Sequence, residues 1–256
     1  MSATENWPIE WISQEKVEAI TLQSFSKALQ KITGEQKKNL QTDPTLAIAL
    51  STFLDLPEKM VARIADDVSV VKTLQNAIGN FHQSILGNAV GWNDLGPRGG
   101  VFDIYSDDKI ALAGNRKVVA EVKMRYNTMN ASQQRSVWDD LKTAVKSRGG
   151  ESKCVAYLIQ IVPNKQEPYD KPWTIADRGE VPYVRCIDGT TAYHLVTGDP
   201  DALNQLLHAL PPVFRKVLNE VGAHKTDQTN LITDVYIDQS IRKSLPTQSA
   251  LVEDSR

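Results

Sequence analysis

The chain of 256 residues has 41% hydrophobic and 23% charged side chains, ordinary for a globular protein and too apolar for a disordered one. No apolar run approaches the roughly 20 residues a membrane helix needs, and the opening stretch MSATENWPIEWISQEK has no basic segment followed by an apolar one, so neither a membrane span nor a secretory signal is expected. The two cysteines, Cys154 and Cys186, exclude a disulfide framework or a C-x-x-C zinc site and fit a cytoplasmic address, and the formal net charge of −2 gives no global hint of a polyanionic partner.

The first 90 residues read as helical. Over 14–33, Val17, Ile20, Leu22, Phe25, Leu29 and Ile32 recur mostly every three or four residues, an amphipathic pattern. Pro57 suits the first turn of a helix running towards Ile64. A further helix is expected over about 68–90, with Val71, Leu74, Ile78, Phe81, Ile85 and Leu86 on one side. The loop GWNDLGPRGGV follows, holding four glycines and a proline. Beyond it the texture is β-rich: 101–105 and 117–123 read as strands, and 110–113 as a shorter one. A helix is expected over 133–148, buried through Val137, Leu141 and Val145. The apolar run 155–162 reads as a strand covered on both faces, and 183–187 as another. Asp199-Pro200 has the form of an N-cap with a first-turn proline for a helix through about Val221. The last 15 residues carry few large apolar groups, so fraying is expected there.

The net charge hides an asymmetry. From residue 98 to 148 ten Lys and Arg stand against six Asp and Glu, a basic middle in a neutral chain. Within it, Asp103 lies in one strand and Glu121-Val122-Lys123 in the next. Side chains alternate along a strand, so Glu121 and Lys123 share a face while Val122 points into the core. If Asp103 faces the same way, two carboxylates and an ammonium converge. The repulsion between the carboxylates is relieved by a divalent cation. Mg²⁺ suits them, since it prefers oxygen ligands, few protein groups and several retained waters, and the backbone carbonyl of Val122 offers a third ligand. Lys123 beside the cation can orient a water or stabilise charge on a phosphate. The plain alternative is a solvated Glu-x-Lys face of a half-exposed sheet.

Asp103 with Glu121-x-Lys123 resembles the PD-(D/E)xK nuclease signature, with Phe102 in place of the name-giving proline. Phe81-His82-Gln83-Ser84-Ile85, then Glu121-Val122-Lys123 running into Asn127-Thr128-Met129-Asn130, and later Leu195-Val196-Thr197-Gly198, resemble in the same order the Type II restriction endonucleases that recognise GGNCC. The similarity covers roughly 78–215. It implies an α/β fold with a restriction-endonuclease-like core, a mixed central sheet flanked by helices, and a helical N-terminal region. The expected division is 1–70 for that region, 71–240 for the nuclease core and 241–256 for a flexible tail, within one compact domain. The resemblance further implies a Mg²⁺-dependent homodimer that cuts both strands of double-stranded DNA at a short G/C-rich palindrome and leaves 5′-phosphates. A cognate DNA methyltransferase is implied as a genetic partner. Asp103 and Glu121 would be metal ligands, Lys123 the residue beside the attacking water, and Gln83 an amide approaching the site. His82 is either its neighbour or a satisfied core histidine.

Base recognition is a separate question. Guanine offers O6 and N7 to Arg or Lys in the major groove, and cytosine N4 donates to carboxylates. The candidates for DNA contact are Arg98, Arg125, Asn127, Asn130, Gln133 and Arg135. Asn127-Thr128 is equally explained as turn chemistry, and Arg135 as a partner of Asp139 one helical turn on. No P-loop, dinucleotide fingerprint or nucleophile elbow is present, which argues against an ATP-driven translocating nuclease. The competing readings are a structure-specific repair or junction nuclease of the same superfamily and a non-catalytic DNA-binding protein.

Overall fold

The computed structural model describes residues 7–33, 43–96, 100–222 and 232–246. Three helices come first: α1 (Gln14–Ile32), α2 (Pro44–Phe53) and α3 (Glu58–Gly87). Ser13 caps α1 by accepting from the Lys16 N–H, and Asp43 does the same for Thr45 at α2. The two helices expected around 57–64 and 68–90 are one helix of 30 residues. No proline or cap interrupts the run after Pro57, so propagation costs less than a second nucleus. The helix therefore runs through the 70/71 division placed on the sequence.

The sheet follows. Its strands are β1 (Trp92–Asp94), β2 (Ile104–Ser106), β3 (Lys117–Arg125), β4 (Cys154–Val162), β5 (Asp170–Pro172) and β6 (Val184–Asp188), in spatial order β1-β2-β3-β4-β6-β5. β3, β4 and β6 are parallel, while the outer pairings are antiparallel. The helix α4 (Ala131–Ser147) makes the β3–β4 crossover, α5 (Gly189–Thr197) and α6 (Ala202–Glu220) follow β6, and α7 (Asp234–Ser244) comes last. It is the mixed α/β architecture expected, with helices on both faces of the sheet.

Alternation along β3 sorts the layers. Val118, Ala120 and Val122 join the core with α1, α3, α5 and α6, whereas Val119 joins Trp138, Leu141 and Val145 of α4. Every residue from Cys154 to Ile159 is buried, as expected for a central parallel strand. At the α5 start, Gly189 lies so close to the Ile161 carbonyl that a side chain there would strike backbone.

Several elements differ from the sequence expectation. The glycine-rich loop contains β1, an edge strand of three residues. The segment 110–113 is not a strand: Ala111–Ala113 form a 3₁₀ turn, and only Ile110 bridges to Arg116. The cap of α6 is Asp201 rather than Asp199. Asp199 instead accepts the Asp201 N–H at 2.8 Å, so Asp199-Pro200 is a turn preceding the helix. Residues 241–246 complete α7 and its end, with Leu245 buried, and the remainder of the expected tail, 247–256, lies outside the described residues. No described helix is long and apolar enough to cross a membrane.

Candidate active site

β3 is the element on which the site is built. Glu121 and Lys123 project from it on the α4 face, opposite Val122, and their side chains meet with Lys123 Nζ 2.6 Å from Glu121 Oε1. Asp103 arrives from the neighbouring chain segment by an irregularity in the ladder. Ile104 stands opposite Ala120, yet the Asp103 N–H also donates to the Ala120 carbonyl at 3.0 Å. Two consecutive residues thus address one residue of β3, the arrangement of a β-bulge, which re-aims a side chain at the edge of a ladder. The result is a hydrogen bond of 2.8 Å from the Val122 N–H to Asp103 Oδ2.

The electrostatics follow from this geometry. Burial and the adjacent Glu121 carboxylate push the Asp103 carboxyl up to about 7, against the opposing pull of the Val122 N–H and Lys123. Two carboxylates and one ammonium leave the cluster with an excess of negative charge in a partly desolvated place. That excess, with hard oxygen donors, fits a small divalent cation. Along a strand the N–H and C=O of one residue point to the same side. The Val122 carbonyl therefore faces the side on which its N–H meets Asp103 and offers a third oxygen. Among the described residues no three His, Cys, Asp or Glu side chains gather as a metal cage, so the site offers two carboxylates and a backbone oxygen, leaving room for water.

Gln83 does not join this group by a direct bond. It is buried on α3, and its amide donates to Asp94 Oδ1 at 2.9 Å, while Ser84 donates to Asp94 Oδ2. Asp94 ends β1, and the next residue, Leu95, donates its N–H to the Asp103 carbonyl. Gln83 thus braces the strand beside Asp103. His82 is a satisfied core histidine: Nδ1 lies 2.8 Å from the Tyr193 hydroxyl, and burial pushes its pKa down to about 4. It borders an apolar cavity of about 760 Å³ formed with α6 and α7, which contains neither Asp103 nor Glu121. The two free cysteines are buried, and burial raises both thiols, Cys186 to about 12.

The expected DNA-contact residues divide. Arg125, Asn127 and Asn130 are exposed where β3 leads into α4. Asn130 and Gln133 form a reciprocal capping box at the start of α4, each side chain accepting the other's backbone N–H at 2.9 Å. Arg135 approaches Asp177 at 3.8 Å and is not the partner of Asp139, which is held by Arg178 through bonds of 2.9 and 2.6 Å. Arg98 lies outside the described residues. The sequence reading missed Gln160, the one polar residue inside the apolar run of β4. It stands in register with Lys123 and accepts the Tyr169 hydroxyl at 2.7 Å. A lone amide in an otherwise apolar run was the signal available.

The chain is similar to known restriction enzymes. Type II restriction enzyme Eco47II of Escherichia coli is 36% identical over 156 residues, covering 58% of this chain and 62% of that protein. Type II restriction enzyme Sau96I of Staphylococcus aureus is 24% identical over 176 residues, covering 65% of this chain and 63% of its own length. In both cases the chain spans a little under two thirds of the relative. The family match runs over residues 9–219, which takes in α1, α2 and all of α3, well beyond the segment whose motifs carried the resemblance. By that match, the chain belongs to the Eco47II restriction endonuclease family.

Proposed function

We propose that the protein is a metal-dependent endonuclease that cuts both strands of double-stranded DNA at a short G/C-rich palindrome, GGNCC or a subset of it. The observation that carries this reading is the meeting of Asp103, Glu121 and Lys123 on β3 in a chain of a restriction endonuclease family. The G/C-rich site is supported by the motif resemblance around 81–85, 121–130 and 195–198.

Asp103, Glu121 and the Val122 carbonyl are the groups that would hold Mg²⁺. When bound, the cation supplies positive charge against the negative charge that develops on the scissile phosphate. Lys123, fixed against Glu121, positions the attacking water by its ammonium and adds a second positive charge beside the phosphate. The water oxygen bonds to phosphorus as the bond to the 3′ oxygen breaks, giving a 5′-phosphate and a 3′-hydroxyl. Asp103 is held against β3 by the Val122 N–H, so its carboxylate is in place before DNA arrives. Arg125 and Asn127, on the exposed turn leading from β3, meet the DNA. Two copies of the chain related by a twofold axis present the same groups to both halves of a palindrome, and a cognate methyltransferase shields the host's own sites.

The test is digestion of a closed plasmid of known sequence with Mg²⁺, with EDTA, and with the Glu121→Ala variant. Discrete fragments ending at GGNCC sites, dependent on both Mg²⁺ and Glu121, are expected. Nicked circles or a smear would overturn the site-specific reading, and silence with Mg²⁺ and Mn²⁺ alike would overturn the nuclease.

A further inference from the structure

The helix α2 is built of apolar residues and buries none of them. Its sequence PTLAIALSTF has no charged side chain, and no residue in it is buried. Ile48 is 67% exposed, Phe53 83%, and Leu54 just after the helix 60%. On α3, Met60, Val68 and Val71 are about half exposed, and with half-buried Ile64 they recur at spacings of four, four and three, a single stripe along the helix. The opposite side of α3 is occupied: Ser69 and Thr73 take Lys31 of α1 at 3.0 and 2.8 Å. The six exposed side chains offer apolar surface on the order of 600 Å², close to the roughly 800 Å² that each partner contributes to a stable protein–protein interface.

We infer that the uncharged helix α2 and the Met60–Val71 stripe of α3 are the surface through which two copies of this chain join, with the two α3 helices crossing antiparallel about a twofold axis near residue 65. This deepens the proposed twofold reading of the palindrome and rests on it. The sequence of the stripe is close to its own complement, the paired positions centring between residues 65 and 66. Met60 falls opposite the second copy's Val71, Ile64 opposite its Val68, and Arg63 opposite its Asp67. Arg63 and Asp67 already pair within one helix at 3.9 Å with both side chains largely exposed, so they are free to exchange partners at the rim. An isologous contact demands this self-complementarity. Nucleic acid and anionic membrane surfaces require a basic face instead, and α2 supplies no cation at all.

The experiment is sedimentation equilibrium of the full chain between 0.1 and 10 μM (concentrations chosen on the order of a typical dimer's range), with Val68→Glu, Phe53→Glu, the charge reversals Arg63→Asp and Asp67→Arg, and the double reversal. The wild type is expected at twice 28.4 kDa. Each glutamate should raise the dissociation constant at least 100-fold with unchanged circular dichroism. Each single reversal should weaken dimers several-fold, and the double reversal should restore them, because the pairs are reciprocal. A monomeric wild type, or dimers indifferent to all of these changes, would overturn the inference. Plasmid digestion of the same proteins separates the two readings: a dimer that obeys the pattern but never cuts DNA sinks the nuclease and leaves the surface standing.

Discussion

The Val122 N–H holds the Asp103 carboxylate at 2.8 Å, so the backbone of the strand that carries Glu121 and Lys123 also fixes the remaining acidic group. One strand thereby sets the positions of all three side chains, two by covalent attachment and one by hydrogen bond.

That bond makes stability depend on pH in an unusual direction. Asp103 is raised to about 7 by burial and by Glu121. Between about pH 4 and pH 7 the folded protein therefore keeps a proton that the unfolded chain has released. In EDTA, stability contributed by this group falls as pH rises through that window and levels off above it. Asp103→Asn retains an acceptor for Val122 and removes the charge. Urea titration at pH 8 should find the variant more stable than wild type by about 1–3 kcal/mol, with the gap closing near pH 4.

The same charge should be relieved by the cation. Adding millimolar Mg²⁺ at pH 8 is expected to raise the melting temperature of the wild type and to release protons at pH 6.5, because ligation favours the ionised carboxylate. Glu121→Gln should lose most of both effects. Calorimetry in two buffers of different ionisation enthalpy measures the proton release directly, and a binding heat independent of buffer would refute it.

Close packing of α3 on β1 predicts opposite outcomes for two glycines of one helix. A Cβ at Gly87 would come within 2.6 Å of Asp94 Cβ and 2.7 Å of its Cα, so Gly87→Ala must push β1 away and disturb the Gln83–Asp94 bond. A loss of about 1–3 kcal/mol is expected. Gly79 has open space at the same point, and Gly79→Ala should gain roughly 0.5–1 kcal/mol from helix propensity. Thermal melts of the two variants side by side decide it.

Arg125 and Asn130 lie five residues apart and should behave differently. Arg125 is exposed beside the site. Arg125→Ala is expected to weaken DNA binding for all sequences and to lower the slope of log affinity against log salt by about 1. Asn130→Ala breaks the capping box of α4 and should cost about 1 kcal/mol of stability. Fluorescence anisotropy over a salt series, paired with denaturation, separates the two.

The central strands and the pairing of Glu121 with Lys123 were readable because each is written locally. The alternation of β3 and the unbroken apolar run of β4 state both their faces, and Glu121-x-Lys123 needs only the strand period to share one. β1 was hidden because its three residues gain their ladder from β2 and their packing from Gly87, neither of which local composition announces. The stretch from Ile110 to Ala113 is apolar enough to read as a strand, but the single bridge from Ile110 to Arg116 closes the turn too tightly for a ladder. Gln83 was read as an approach to the carboxylates; its binding to Asp94 depends on a contact between α3 and β1 that no spacing encodes. The Arg178–Asp139 pair joins residues 39 apart and displaced the local Arg135–Asp139 pairing for the same reason.

An unbroken α3 carries Val68 in its first half and Gln83 near its far end. At 1.5 Å and 100° per residue, one residue inserted between them would lengthen the rod by about 1.5 Å and turn its two ends by about 100° relative to each other. The end of α3 that braces Asp103 and the apolar stripe are thus locked in phase: a seven-residue insertion, nearly two full turns, comes close to restoring their relative facing, while a two-residue insertion turns one almost directly away from the other.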